Sequence, residues 1–301
     1  MRTVVITILL ALMSGTAAPA APKKVQVVTT LNVLAAVTRE VGGDRVSVSA
    51  LAKPNQDPHT LVAKPTYKLA AKNADLFVEL GLGLDIWGSA VTDASGNPNI
   101  QTGQKGRVVA SEGIETKELP ATLSKAWGDI HPQGNPHVHL DPRNIAKIAE
   151  VVSARFAELD SRNADTYHAR GADFGKRWQQ AMDKWRAQAE PLKGMPIVVY
   201  HKDVSYFINW AGMREAGALE PKPGIPPTPA HLAELVDQMK RAPAKAIVYS
   251  PYNNPAAAQF LSQRTGIPVV PVPFTVGGTP KAKDLFGLFD DTIERLAAVT
   301  K

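Results

Sequence analysis

The 301 residues contain no cysteine. Disulfides and thiolate metal ligands are therefore excluded, and any metal must be held by nitrogen and oxygen. No thiol is present to carry a lipid, so no stable membrane anchor is expected. Long apolar runs are scarce as well. The stretch Val4–Met13 is too short to span a bilayer comfortably, and no later segment is longer and as apolar. Aromatic residues make up 6% of the chain, and the net charge of +6 is spread along it. Without a basic block interleaved with aromatics, a nucleic-acid partner is not expected.

The same apolar stretch has a different meaning in its setting. Arg2 gives a positive start, Val4–Met13 an apolar centre, and Thr16-Ala17-Ala18-Pro19-Ala20 a zone of small residues. That order reads as a secretory signal over residues 1–20, cleaved near Ala18 to Ala21. The expected location is the periplasm. The remaining composition, 44% hydrophobic and 21% charged, is that of a globular protein.

Periodicity divides the mature chain into two similar halves. Short β-rich runs at 25–30, 46–51, 74–80 and 107–110 alternate with helical patterns at 32–41, 66–73 and 85–91, with Thr66 as a candidate cap. Residues 111–135 are polar and irregular. Asp141-Pro142 starts a helix with an apolar stripe from Ile145 to Phe156. A second helix from Asp160 or Ser161 to about Ala189 carries Phe174, Trp178, Met182 and Trp185 on one face, a stripe that reads as core. At 1.5 Å per residue it would be about 42 Å long. Strands then return at 196–200, 246–249 and 269–272, with helices at 204–210, 230–240, 255–265 and 284–299. The prolines of the last strand suit a sheet edge. Strands alternating with helices predict parallel α/β units. The expected domains are an N-terminal α/β lobe over 21–160, a long connecting helix over 161–190 and a C-terminal α/β lobe over 191–301.

Three of the seven histidines occupy distinctive settings: His59 in Asp57-Pro58-His59, His137 in Asn135-Pro136-His137, and His201 directly after Val198-Val199-Tyr200. His59 and His201 follow strands, where ligands gather in open α/β sheets. Proline fixes its own φ and so steadies the backbone before His59 and His137. Three imidazoles that converge would make a zinc-type site. His131 and His139 are expected near it, with His139 on the same face as His137 if that segment is extended. His168 and His231 lie within helical patterns and are expected to be solvated.

These stretches resemble the substrate-binding proteins of zinc and manganese ABC transporters, the ZnuA/TroA/PsaA-like group (cluster A-I). The resemblance runs through Asp57-Pro58-His59, the block from Asn135 to Pro142, Tyr200-His201 with Tyr206-Phe207, and Glu220 to Pro227. It implies two α/β lobes joined by one long rigid helix, with the metal in the inter-lobe cleft. It implies that His59, His137 and His201 are metal ligands. It also implies that the partner is a membrane permease, with the protein itself expected to be a monomer. Two departures stand out. Where the family usually brings an acidic fourth ligand, this chain has Val272-Pro273-Phe274-Thr275-Val276-Gly277-Gly278; and His139 stands where Trp is common. Of the long His- and Asp-rich loop found in many zinc-specific relatives, mainly Asp129 and His131 are represented. The fourth position is thus open to water, His131 or Glu220. Three imidazoles favour Zn2+ as the transported ligand over Mn2+ or iron, which take more oxygen.

Three histidines and a water are also a catalytic zinc pattern. A zinc-dependent hydrolase would need a general base, for which Asp57 and Glu220 are the candidates, but no His-Glu-x-x-His pattern is present. An adhesin is a third reading, disfavoured by the missing anchor. The sequence expectation is a non-enzymatic metal carrier.

Overall fold

The computed structural model describes residues 23–120, 128 and 131–300. The expected signal over residues 1–20 and Asp129 lie outside the described residues. The first half contains β1 (Val25–Thr29), α1 (Asn32–Gly42), β2 (Val46–Ala50), α2 (Pro65–Lys72), β3 (Leu76–Glu79), α3 (Trp87–Asp93) and β4 (Arg107–Val109). Two helices follow, α4 (Pro142–Leu159) and α5 (Ala164–Ala189). The second half contains β5 (Pro196–Val199), α6 (Ser205–Ala211), β6 (Arg214–Ala218), α7 (Pro229–Arg241), β7 (Ala246–Tyr249), α8 (Ala256–Thr265), β8 (Val269–Pro271) and α9 (Leu285–Ala297).

Each half builds one four-stranded sheet, ordered β2-β1-β3-β4 and β6-β5-β7-β8. All strand pairs are parallel. Parallel strands need helices on both faces, which explains why the β3 run Leu76-Phe77-Val78-Glu79 is buried throughout. Pro271 is tolerated because β8 is an edge.

The α5 helix joins the two lobes. Its 26 residues span about 39 Å at 1.5 Å per residue. Tyr167, Phe174, Trp178, Met182 and Trp185 recur every three to seven positions on its buried face. Its packing partners include α4 and α1 on the N-terminal side and α9 on the C-terminal side. Both tryptophans satisfy their indole N–H: Trp178 donates to the Pro142 carbonyl at 2.8 Å, Trp185 to Asp290 Oδ1 at 2.7 Å. One continuous apolar cluster therefore runs from Val27 in β1 to Leu296 in α9. A helix packed along its length against both halves resists bending.

The structure departs from the sequence expectation in particular places. The α2 helix starts at Pro65 with Lys64 as its cap, not at Thr66, because proline is pre-organised for the first helical position. The strand β6, Arg-Glu-Ala-Gly-Ala, was not expected; it lacks β-branched residues and forms by pairing with β5. The long helix begins at Ala164, after a 3-10 turn at Ser161–Asn163. Val138–Leu140 is also a 3-10 turn, so the segment of His139 is not extended. Among the described residues, no helix is long and apolar enough to cross a membrane.

Candidate metal centre

The structure brings His59, His137 and His201 together. Their ring centroids lie 5.1 Å (His59–His137), 5.2 Å (His59–His201) and 5.2 Å (His137–His201) apart. One nitrogen from each lies within 4.8 Å of the other two. A tetrahedral ion with bonds of about 2.0–2.1 Å holds its nitrogens roughly 3.4 Å apart. The rings therefore need to draw in by at most about 1.4 Å to meet that geometry.

Local chemistry aims the two N-terminal rings. Asp57 Oδ1 accepts the backbone N–H of His59 at 3.0 Å and its ring Nδ1 at 2.7 Å. Asn135 Oδ1 repeats this on His137, at 3.0 Å and 2.8 Å. The intervening proline completes each Asx-Pro-His turn. The turn under His59 is further pinned by Trp87, whose Nε1 donates to the Pro58 carbonyl at 2.9 Å. An oxygen acceptor at Nδ1 places the proton there and leaves the Nε2 lone pair for a metal. Nε2 of both His59 and His137 is buried without a hydrogen-bond partner, as expected of atoms set aside for an ion.

His201 is aimed from a distance. Its Nδ1 contacts Glu220 Oε2 at 2.7 Å, and the same oxygen accepts Gly224 N–H at 2.8 Å. The strand register explains the meeting. Ile197 pairs with Glu215, but Val198 pairs with Gly217, so β6 carries one extra residue. Beyond that bulge Glu220 N–H donates to the Tyr200 carbonyl at 3.1 Å, which sets Glu220 beside His201. Glu220, an open choice for fourth ligand from sequence, thus serves here as the carboxylate that fixes the His201 ring.

Burial and charge act differently on the rings. Burial, reinforced by the neighbouring imidazoles, pushes His137 well below its ordinary value. Burial pushes His139 down to about 4. Burial would lower His201 too, but its Glu220 hydrogen bond and the charges of Asp203, Glu220 and Asp57 outweigh it and raise the ring. Burial would raise Asp57, but the His59 contact overrides it and holds the carboxylate below its usual range.

The remaining sequence candidates also find places. His131 lies 5.6 Å from His59, ring to ring, with Nδ1 3.2 Å from the Leu82 carbonyl. His139 is buried 6.5 Å from His137, and its Nε2 donates to the Phe274 carbonyl at 3.1 Å. In the stretch without a carboxylate, the Phe274 ring packs 5.8 Å from His137 and 4.8 Å from His139. His168 is exposed as expected, whereas His231 is not simply solvated: its Nε2 donates to the Ala218 carbonyl at 2.8 Å.

Two contributions were not read from the sequence. Asn135 uses its other end as well: Nδ2 donates to Glu118 Oε2 at 2.8 Å and to the Lys202 carbonyl at 2.7 Å, beside His201. One amide therefore orients a ring of one lobe and grips the other lobe. Asp203 is buried behind His201, accepting from Ser250 Oγ at 2.5 Å and Tyr252 OH at 3.0 Å. Only its position two residues after His201 hinted at this.

Known proteins share this architecture. The family described as zinc-uptake complex component A, periplasmic (ZnuA), matches residues 27–299. The manganese ABC transporter substrate-binding lipoprotein PsaA of Streptococcus pneumoniae is 24% identical over 271 residues, covering 89% of this chain and 85% of PsaA. The iron ABC transporter substrate-binding lipoprotein MtsA of Streptococcus pyogenes serotype M1 is 25% identical over 264 residues, 86% of this chain and 83% of MtsA. A crystal structure of ZnuA superposes with a TM-score of 0.79 at 21% identity, covering 93% of this chain and all of that one.

Proposed function

The chain belongs to the periplasmic zinc-uptake component A family, and we propose on that footing that its cargo is zinc, held by His59, His137 and His201. Members of the family are substrate-binding components of ABC transporters. The protein accordingly captures a divalent metal and works with a membrane permease; it is not an enzyme.

Relatives named for manganese and for iron leave the metal to be argued from the ligands. One observation carries the zinc reading: all three rings have Nδ1 on a side-chain oxygen, which leaves the Nε2 side of each ring for one ion. A set of imidazoles suits zinc, whereas manganese favours carboxylate, carbonyl and water oxygens. Asp57 and Glu220, the two carboxylates a hydrolase would have called on, already hold imidazoles. In this reading residues 21–160 and 191–301 form the two jaws of a monomer and 161–190 their spine. The N-terminal 20 residues serve as a cleaved signal to the periplasm.

Native mass spectrometry of metal-stripped protein tests the proposal. One zinc per chain is expected, with zinc displacing manganese when both are offered at equal concentration. Preferential retention of manganese would overturn the choice of metal. No uptake of either would overturn the site.

A further inference from the structure

His131 is built into the site as the three histidines are, although it lies outside their ring of contacts. Its Nδ1 stands 3.2 Å from a backbone oxygen, the Leu82 carbonyl, just as the other three present Nδ1 to a side-chain oxygen. That carbonyl is presented by an unusual loop. Gly81, Leu82 and Gly83 all have positive φ, at 87°, 56° and 83°. For leucine this conformation costs about 1–2 kcal/mol, so the surroundings must hold it there. Gly83 leaves the space the ring needs: a Cβ added there would lie 3.1 Å from His131 Nδ1. The His131–His59 centroid distance, 5.6 Å, is only slightly longer than the 5.1–5.2 Å within the triad. On the opposite lobe, the stretch without a carboxylate offers the phenyl ring of Phe274.

We propose that His131 closes on the captured ion as its fourth ligand through Nε2, making an all-imidazole site, with the Gly81–Gly83 loop as the brace that sets its tautomer. The inference rests on the zinc reading above. Four neutral donors complete a tetrahedron without bringing in any negative charge. They also exclude the open water position that a hydrolytic zinc requires. With His131 the N-terminal lobe supplies three of the four imidazoles, so the C-terminal lobe needs to bring only His201 and no carboxylate.

The chain's lack of cysteine makes a direct test available. In zinc-loaded His131→Cys, X-ray absorption should show one sulfur at about 2.3 Å, replacing one nitrogen of a four-imidazole shell in the wild type. His131→Gln should weaken zinc binding at least about tenfold, the scale already reached by losing an outer-shell group. A wild-type shell of three imidazoles and one oxygen, with no sulfur in His131→Cys, would overturn the proposal. His137→Ala separates the two levels of argument. If it removes zinc binding while His131→Cys shows no sulfur, the triad stands and only the fourth ligand fails. If it leaves binding intact, the site itself is wrong.

Discussion

In the N-terminal lobe, Asp57 and Asn135 each orient a histidine two residues ahead; in the C-terminal lobe, Glu220, just past β6, orients a histidine 19 residues behind it, just past the neighbouring strand β5. The sheets have the same strand order, β2-β1-β3-β4 and β6-β5-β7-β8, so the difference does not come from topology. It comes from where the ring leaves the sheet. His59 and His137 sit in or beside short turns, where an Asx side chain reaches its own backbone and the ring together. His201 lies just past the exit of β5, where the side chain beside it, Glu220, comes from just past the end of the parallel neighbour β6. Two physical consequences follow. The local device is neutral at Asn135, whereas the distant one is a carboxylate. Accordingly the His137 ring is pushed down by burial and the His201 ring is raised by charge.

The largest expected effect exposes that opposition in metal-free protein. An imidazole in the unfolded chain titrates near 6.5, while His139 in the fold is pushed down to about 4 by burial. The unfolded state therefore takes up the proton first as pH falls. The His139 contribution is fully present above pH 6.5 and is lost as pH falls towards 4, a loss of about 3 kcal/mol. His137 acts in the same direction. His201 acts in the opposite one: its raised value adds stability below 6.5 that fades as pH rises through the folded value. In urea unfolding from pH 7 to 4, His139→Leu should lose about 3 kcal/mol less than wild type. Parallel acid limbs would show that burial of His139 is not what separates the lobes.

A smaller effect is expected on binding. Glu220→Ala leaves His201 Nδ1 and Gly224 N–H without their shared acceptor. Zinc affinity at neutral pH should fall roughly 10- to 100-fold, as for other groups behind a metal-bound histidine. The pH profile adds a sign. Glu220 helps raise His201, so on the proposed zinc ligation the proton should compete with the metal up to a higher pH. Glu220→Gln should retain more affinity than Glu220→Ala and move the acid limb of binding to lower pH. An unmoved limb in a chelator-competition titration would remove Glu220 from this role.

What the sequence made legible follows the same division. The Asx-Pro-His turns, the Asp141-Pro142 helix start and the apolar stripe of α5 all act within a few residues of themselves, and each is visible as a spacing. Glu220 was visible as a residue near the site but not as the partner of His201. That pairing depends on β6, a strand with no propensity signal, and on its bulge. His139 was expected to share a face with His137 in an extended segment. The 3-10 turn separates the rings, and the Phe274 carbonyl of the other lobe takes its Nε2–H. The two roles of Asn135 divide in the same way: its hold on His137 is local and readable, its grip on Lys202 is tertiary.

That double role gives the smallest predicted effect and the finest test of the comparison. Asp57 and Asn135 occupy the same place in the same turn, so exchanging amide and acid separates ring orientation from lobe coupling. Asp57→Asn keeps an acceptor oxygen for both the backbone N–H and the ring of His59; zinc affinity should fall only about threefold, from the loss of a charge-assisted contact. Asn135→Asp keeps the acceptor for His137 but removes the two N–H donors to Glu118 and Lys202 and sets a carboxylate against their oxygens. Losing both donors next to His201 should cost about tenfold in affinity and about 1–3 kcal/mol in stability. Calorimetric titration with zinc and urea unfolding of both variants give the two numbers. Equal losses would mean that the turns differ only in sequence; a greater loss in Asn135→Asp would make one amide the join between the lobes at the metal.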